Sequence, residues 1–278
     1  MQIRRFLVSV LVHTRNSSRT LDQLLNSIRR QTYKNIEIIV VDNNSHDNTK
    51  SIASRYTTKI YNFGPERSAQ RNFAAKQAKG EYLLVPDSDM ILDKNVIAEC
   101  IDTIVRDPNI KAVVICEKSI GKGFWTKCKA LERKCYEGDE NIEAARFFEK
   151  NVFWEMGGYD ENLTGPEDWD LPQRIKRKYK TGRIKSSILH DEGEVFLLQL
   201  AKKKYYYGLK VSDYIKKHPL ESTAQQVIYL LRPAFYRNWR ILLKEPIVTM
   251  GMVFMLSLEQ GAGFIGFLKG GIFGKIRI

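Results

Sequence analysis

The residues that invite chemistry in this 278-residue chain are polar groups placed where apolar runs stop. Tyr82 to Val85 reads as a buried strand, yet Pro86 and then Asp87-Ser88-Asp89 come at once after it. Two carboxylates on same-side positions of an extended chain repel each other unless a cation or hydrogen-bond donors lie between them, so either the strand simply ends in solvent or something positive belongs there. The pattern recurs upstream. The apolar run ending at Val12 leads into His13-Thr14-Arg15-Asn16, and NIEIIVV leads into Asp42-Asn43-Asn44. Downstream, His190 comes after Ile188-Leu189 with Asp191 and Glu192 beside it, and Glu167-Asp168-Trp169 opens a segment that reads as a helix through Arg177. Acids in a first helical turn also favour the macrodipole, so that pair has a purely structural use as well. No Ser/His/Asp or reactive-cysteine constellation is visible, which points away from a covalent intermediate.

The elements that must position these groups are set by periodicity. Leu7–Val12 reads as a first strand. Leu21, Leu24, Leu25 and Ile28 recur at helical spacing behind a Ser17/Ser18 cap, giving a helix through Arg30. Asn35–Val41 is a second strand, Thr49–Arg55 a helix, Lys59–Asn62 a third strand, Ser68–Lys79 a helix and Glu81–Val85 a fourth strand. A helix around Asn95–Arg106 and a strand at Lys111–Glu117 come next, while Ser119 to Asn141 shows no clear pattern. Strand and helix alternating with short links predict an α/β fold with a parallel sheet. Ligands of such sheets bind beyond the carboxyl ends of the strands, so the clusters at Thr14, Asp42 and Asp87 should meet on one rim.

Charge divides the chain. Residues 1–173 hold 25 Lys+Arg against 25 Asp+Glu, and residues 174–278 hold 20 against 7, so the whole net charge of +13 lies in the last part. A neutral front and a basic back suggest a catalytic domain joined to an anion-seeking surface. RIKRKYKTGRIKSSILH and AKKKYYYGLKVSDYIKKH carry most of the excess, with Tyr179, Tyr205, Tyr206, Tyr207 and Tyr214 among the lysines. The uncharged run Pro246–Leu258 has 13 residues, short of the roughly 20 that span a bilayer, and Glu259, Gln260 and glycines interrupt the apolar residues after it. The expectation is a surface helix pair that dips into the membrane interface, with lysine and arginine against anionic lipid. The start, MQIRRFLVSVLVHTRN, mimics a signal peptide, but its apolar run FLVSVLV is short and reads as the first strand. Cys100, Cys116, Cys128 and Cys135 have no CxxC spacing, which suggests a reducing compartment and no zinc site.

Four stretches in this order, SVLVHTRNS, IIVVDNNSHDNT, ERSAQRNFAAKQAKGEYLLVPDSDM and GGYDENLTGPEDWDLPQRI, resemble a family 2 glycosyltransferase of the GT-A fold over roughly residues 6–177. The resemblance implies a Rossmann-like, mixed and mainly parallel sheet flanked by helices. It places a nucleotide-sugar-binding catalytic domain in residues 1–220 and a basic, apolar, membrane-associating helical region in 221–278. By the same resemblance Thr14, Arg15, Asn16, Asp42, Asn44, Arg71, Asp87 and Ser88 line the nucleotide pocket. Asp42 would accept from the N–H edge of uracil or guanine, and Arg71 would approach the base or diphosphate. Mn²⁺ or Mg²⁺ would sit on Asp89, with Asp87 completing the coordination or touching ribose and with His190 as a late ligand. Asp168 would be the general base of inverting transfer, Glu167 its support and Trp169 an apolar face for a sugar ring. GDP-mannose is the favoured donor and UDP-glucose the next. The acceptor is lipid-linked, met by a cytoplasmic, peripheral (monotopic) enzyme on the inner face of the cell membrane. His13 and Arg15 depart from the family, which usually has Pro and Tyr there.

Two other readings remain. A nucleotidyltransferase would ordinarily show a glycine-rich basic loop after the first strand, which HTRNSSRT lacks. A basic nucleic-acid-binding protein would suit the tyrosine-lysine tail, but no recognised nucleic-acid motif appears, and no nucleic-acid partner is expected.

Overall fold

The computed structural model describes residues 6–139, 142–218, 228–229 and 232–274. The two arginines that open the signal-like stretch lie outside the described residues. The chain forms two compact units that interleave along the sequence. One comprises residues up to Glu117 with Ala144–Glu161 and Asp168–Asp191, and the other Lys118–Glu143, Asn162–Glu167 and Glu192 onward. The expected boundary after residue 220 lies outside the described residues, and much of the second unit precedes it in sequence.

The first unit is built on an eight-stranded sheet of order β3-β2-β1-β4-β7-β6-β8-β5. Its strands are β1 (Val8–Thr14), β2 (Ile36–Asp42), β3 (Ile60–Asn62), β4 (Tyr82–Leu84), β5 (Met90–Leu92), β6 (Ile110–Lys122), β7 (Ala145–Glu149) and β8 (Lys180–Glu194). The first four pair in parallel, as the strand–helix alternation predicts. From β4 outward the sheet changes character, because β7 runs antiparallel to both β4 and β6, and β8 antiparallel to β5. Helices α1 (Leu21–Arg29), α2 (Thr49–Ser54), α3 (Arg67–Gln77), α4 (Val96–Arg106), α6 (Lys150–Glu155) and α7 (Glu167–Lys176) flank it.

Period-two alternation in strands buried on both faces sorts the core into two layers. Val8, Val10 and Val12 of β1 join Leu21, Leu24, Leu25 and Ile28 of α1 and Val96, Ile97 and Cys100 of α4. Leu11 joins Leu83, Val85, Ala74 and Ala75 of α3, and Leu171 and Ile175 of α7 on the other side. The stretch from Lys180 to His190, expected in the basic tail, is instead part of strand β8. Ile184 and Ile188 are buried, while exposed Lys180 pairs with Asp107.

The second unit is helical. It contains α5 (Phe124–Cys135), α8 (Leu197–Lys217), α9 (Pro233–Arg237), α10 (Trp239–Lys244) and α11 (Pro246–Gly274). The interruptions expected to keep the last apolar run short do not break α11. Residues Pro246–Gly270 form one continuous stretch of 25, long and apolar enough by length and composition to cross a membrane. The physical reason lies in the surroundings of the interrupting residues. Glu259 is buried, with Lys129 of α5 at 3.3 Å and Lys204 of α8 at 3.0 Å, so its charge is compensated inside the unit. Gly266 and Gly270 turn toward the α8 backbone, where any Cβ would overlap the carbonyls of Tyr205 and Leu209. Met252, Met255 and Leu256 pack with Cys128 and Leu131, leaving Ile247, Met250, Phe254, Ile265 and Leu268 exposed along the opposite side.

Candidate active site

The parallel half of the sheet places the expected polar ends side by side. Thr14 and Asp42 are register partners at the ends of β1 and β2, and Asp42 is partnered in turn by Asn62 of β3. Asp42 has no exposed surface. Its Oδ1 accepts from Thr14 Oγ1 at 2.9 Å and Ser45 Oγ at 2.5 Å, and its Oδ2 accepts from the Ser45 N–H at 2.8 Å. The carboxylate thus shapes the turn it begins. Asn16 and Asn44 both take left-handed backbone, φ 50°, where short polar side chains are tolerated. Asn16 accepts from the His46 N–H, and Asn44 exchanges hydrogen bonds with Asn62. The Ser88 and Ser17 hydroxyls lie 2.9 Å apart, and Arg15 is exposed.

The antiparallel half brings in residues that sequence reasoning missed. Because β7 runs against β4, its first residues lie at the end of β4, and the Val85 N–H donates to the Arg146 carbonyl. Arg146 therefore stands beside Asp87. Its terminal nitrogens lie 3.0 Å from Asp87 Oδ2 and 3.4 Å from Asp168 Oδ1, while Nε donates to Glu117 Oε1 at 2.9 Å. From α3, Arg71 donates to the same two acids, at 2.6 Å to Asp87 Oδ1 and 2.8 Å to Asp168 Oδ1. Arg71 has no exposed surface and covers the Tyr159 ring at 5.0 Å. The resemblance places Arg71 at the base or diphosphate and Asp87 at the metal or ribose; in this arrangement the arginines occupy both oxygens of Asp87. Tyr159 is itself docked by paired hydrogen bonds with Asn72, next to the Gly157-Gly158 turn, where both residues take positive φ.

The charges set the protonation states. Burial alone would raise Asp87, but Arg146 and Arg71 outweigh it and hold the carboxyl well below its usual range. Asp168 obeys the same balance, lowered by the same two guanidinium groups against burial. His13 faces Asp87 at 3.4 Å, yet burial and then Arg71 push it down to about 3, so it is neutral at physiological pH.

The second pairing brings Asp89 and His190 together. Met90 and His190 are register partners across β5 and β8, and the Asp191 N–H donates to the Asp89 carbonyl. His190 Nε2 consequently lies 3.2 Å from Asp89 Oδ1, while Nδ1 of the same ring lies 3.5 Å from Glu117 Oε2. Asp89 Oδ1 is buried and accepts no hydrogen bond. An orphaned hard oxygen next to an imidazole nitrogen, with a carboxylate behind the ring, fits the donor chemistry of Mn²⁺ or Mg²⁺. Among the described residues no group of three or more His, Cys, Asp and Glu side chains is arranged to hold a cation. Asp89 and His190 would need oxygens from a bound ligand to complete the sphere.

Other expected site residues are used locally. Glu167 has no exposed surface and accepts the Gly165 N–H at 2.6 Å at the start of α7. Trp169 is half-buried. Asp191 is held by Arg19 at 2.7 Å, and Glu192 accepts from Ser119. Sequence signals for the missed residues did exist: Glu117 ends the apolar run AVVIC much as Asp87 ends its own, and Arg146 is the lone charge inside AARFF.

This sheet, with a polar rim at the ends of its parallel strands and antiparallel partners closing one side, defines a GT-A class of fold. The chain belongs to glycosyl transferase family 2, whose family model matches residues 9–158. An uncharacterized glycosyltransferase of Rickettsia conorii is 33% identical over 200 residues, 64% of this chain and 32% of that protein. The poly(ribitol-phosphate) beta-N-acetylglucosaminyltransferase TarS of Staphylococcus aureus is 35% identical over 102 residues, 33% of this chain and 18% of its own. The chain spans about a third of the length of the first curated relatives it matches. Among solved structures, the mannosyltransferase PcManGT from Pyrobaculum calidifontis in complex with GDP-Man and Mn²⁺ superposes with a TM-score of 0.64 at 16% identity, covering 96% of this chain and 88% of that one. At that identity the match speaks for the fold alone.

Proposed function

We propose that this chain is an inverting, metal-dependent glycosyltransferase that moves a hexose from a nucleotide-diphosphate sugar to a lipid-linked acceptor. The observation that carries the reading is the rim of the first unit. There the Asp89–His190 pair, with its orphaned buried oxygen, and the arginine-held Asp168 belong to one connected set of charges. Asp89 and His190 would hold Mn²⁺ or Mg²⁺, which when bound supplies Lewis-acid stabilisation of the leaving diphosphate. Asp42, with Thr14, Asn16, Asn44 and Ser88 shaping its surroundings, would meet the nucleotide base and ribose, with Arg15 exposed beside them. Arg71 and Asp87 act as the internal frame. Asp168 uses Oδ1 for its guanidinium contacts and is a fifth exposed, so its other oxygen can take the proton of the acceptor hydroxyl. As that proton moves to Asp168, the acceptor oxygen bonds to C1 from the face opposite the diphosphate and the C1–O bond to the diphosphate breaks, which inverts the anomeric centre. Trp169 remains a candidate apolar face for the sugar.

GDP-mannose is the donor proposed first, with UDP-glucose next. The second unit supports a membrane-bound acceptor. Helix α11 is apolar all round but covered on one side, and its exposed side chains need a non-aqueous neighbour. Exposed Trp239 with Arg240 and Lys244 on α10 suits the headgroup layer of an anionic membrane. A peripheral, monotopic enzyme on the cytoplasmic face is the arrangement we infer.

The reading is tested by titrating GDP-mannose, UDP-glucose and UDP-GlcNAc calorimetrically, with and without Mn²⁺, into wild type and Asp89→Ala. Binding of one donor that requires the metal and is lost in the variant is the expected result. Equal binding in the variant removes Asp89 from the metal site, and no binding of any donor overturns the transferase reading.

A further inference from the structure

Glu117 and Arg146 have no task in the proposed reaction, yet they join its two ends. The Arg146 side chain is 5% exposed and contacts three carboxylates: Glu117 at 2.9 Å, Asp87 at 3.0 Å and Asp168 at 3.4 Å. Glu117 uses its two oxygens differently. Oε1 accepts from Arg146, and Oε2 faces His190 Nδ1 at 3.5 Å, a close approach that is not a hydrogen bond in this arrangement, while the far nitrogen of that ring faces Asp89. A carboxylate behind a ligating histidine fixes which ring nitrogen bears the proton and where the ring points. Here that carboxylate is also one of the groups fixing Arg146, and Arg146 is one of two groups fixing Asp168. The topology makes the chain of contacts short: Glu117 lies on β6, Arg146 on β7 and His190 on β8, and β6 sits between the other two in the sheet.

We propose that Glu117 and Arg146 form a charged bridge that ties the position of Asp168 to cation occupancy of the Asp89–His190 edge. Glu117 orients the histidine, and Arg146 is a positioning residue for the base. With a cation held at Asp89 and His190, Nδ1–H of the ring would close on Glu117 Oε2, and Arg146 would divide itself differently among Glu117, Asp87 and Asp168. Loss of Arg146 is therefore felt at the metal edge, where it makes no direct contact. Loss of the Glu117 charge is felt at Asp168, which Glu117 does not touch. The inference rests on the proposed transferase reading for the role of Asp168, but its first readout does not.

The test uses the full chain with Arg146→Met, Arg146→Lys and Glu117→Gln, each checked for fold by circular dichroism. Mn²⁺ alone is titrated by electron paramagnetic resonance, and kcat and KM are then measured for hydrolysis or transfer of GDP-mannose and UDP-sugars. Removing the group that orients a metal ligand typically costs 10–100-fold, so Glu117→Gln should weaken Mn²⁺ by about 10-fold and Arg146→Met by several-fold. Arg146→Met should also lower kcat by about 100-fold with KM little changed, and Arg146→Lys should recover part of both. If Arg146→Met does not fold, the lysine variant and Glu117→Gln, which keep size and most contacts, carry the test. Mn²⁺ affinities within about two-fold of wild type in folded variants overturn the bridge. So does a wild type that takes up no Mn²⁺. Mn²⁺ binding that depends on Asp89 and weakens in the variants, without turnover of any sugar donor, supports the bridge and instead sinks the transferase reading.

Discussion

Replacing Arg71 by Met removes a guanidinium group with no exposed surface from between two acids at 2.6 and 2.8 Å, while keeping most of its volume. At about 4 Å between charge centres and an effective dielectric of about 20, each pair contributes roughly 4 kcal/mol of gross attraction. Burial of the three groups offsets most of that in the folded protein, so the pair itself is worth little net. Breaking it is another matter, because Asp87 and Asp168 stay behind with Arg146 as the guanidinium still in contact with both. Uncompensated buried partners cost about 3–5 kcal/mol. Asp87 and Asp168 keep 17% and 20% of their side chains exposed, so the lower end, about 3 kcal/mol, is expected. At roughly 2–4 °C per kcal/mol for a unit of this size, Tm should fall by about 6–12 °C at pH 7.5. The sign of the pH dependence is a second constraint. The folded pKa of Asp168 is depressed, so its contribution is full above the ordinary carboxylate pKa and fades as pH falls through the folded value. In Arg71→Met that depression is partly lost, so the gap between the two proteins is widest at neutral pH and narrows below about pH 4. Thermal melts monitored by circular dichroism at pH 7.5 and at about pH 3 measure both. A shift under about 2 °C at pH 7.5, or a gap that widens on acidification, refutes the reasoning.

The exposed pair Arg55–Asp22 at 3.1 Å is the matched control: Asp22→Asn should change stability by no more than about 0.5 kcal/mol in denaturant titrations. Gly266→Ala forces a methyl group onto the Tyr205 carbonyl and should destabilise the second unit by about 1–3 kcal/mol, whereas Gly261→Ala, with open space around it, should be neutral or stabilising by up to about 1 kcal/mol. Equal melting points for these two variants would contradict the close packing of α8 on α11. If Asp168 is the base, the acid limb of the pH–rate profile lies below the usual carboxylate range and moves to higher pH in Arg146→Met, because burial then acts with one guanidinium fewer against it. An unmoved limb assigns the proton transfer to another group. Replacing Ile247, Phe254 and Ile265 together by Ser should abolish co-flotation with anionic vesicles and leave Mn²⁺ binding intact; retained flotation removes α11 from the membrane contact.

Much of the sheet could be read from the chain. The first four strands, the four helices α1 to α4 and the rim formed by Thr14, Asp42 and Asp87 are legible in local alternation and helical spacing, because each parallel strand and its crossover helix are neighbours in sequence. Apolar runs ending in acids announced the site for the same reason: an acid just past a buried strand has few uses except at the rim. Sequence alone also located an apolar C-terminal segment with basic neighbours, but read its apolar run as short and interrupted where the structure has one continuous helix.

What it could not give is which distant segment lies against which. Arg146 stands beside Asp87 because β7 runs antiparallel to β4, and His190 stands beside Asp89 because β8 pairs with β5 across about a hundred residues of chain. Neither direction nor register is written in local composition; both are chosen by the burial of whole faces in the assembled core. The same holds for Arg71, an ordinary helix arginine in sequence that tertiary packing turns inward onto two acids. It holds again for Glu259, which interrupts an apolar run on paper but is matched by Lys129 and Lys204 once α5, α8 and α11 pack together. The sequence by itself determined the parallel strands, the rim and the acids that end them. Only the tertiary structure decided which charges compensate one another, because Coulomb energy depends on distances that the order of residues does not contain.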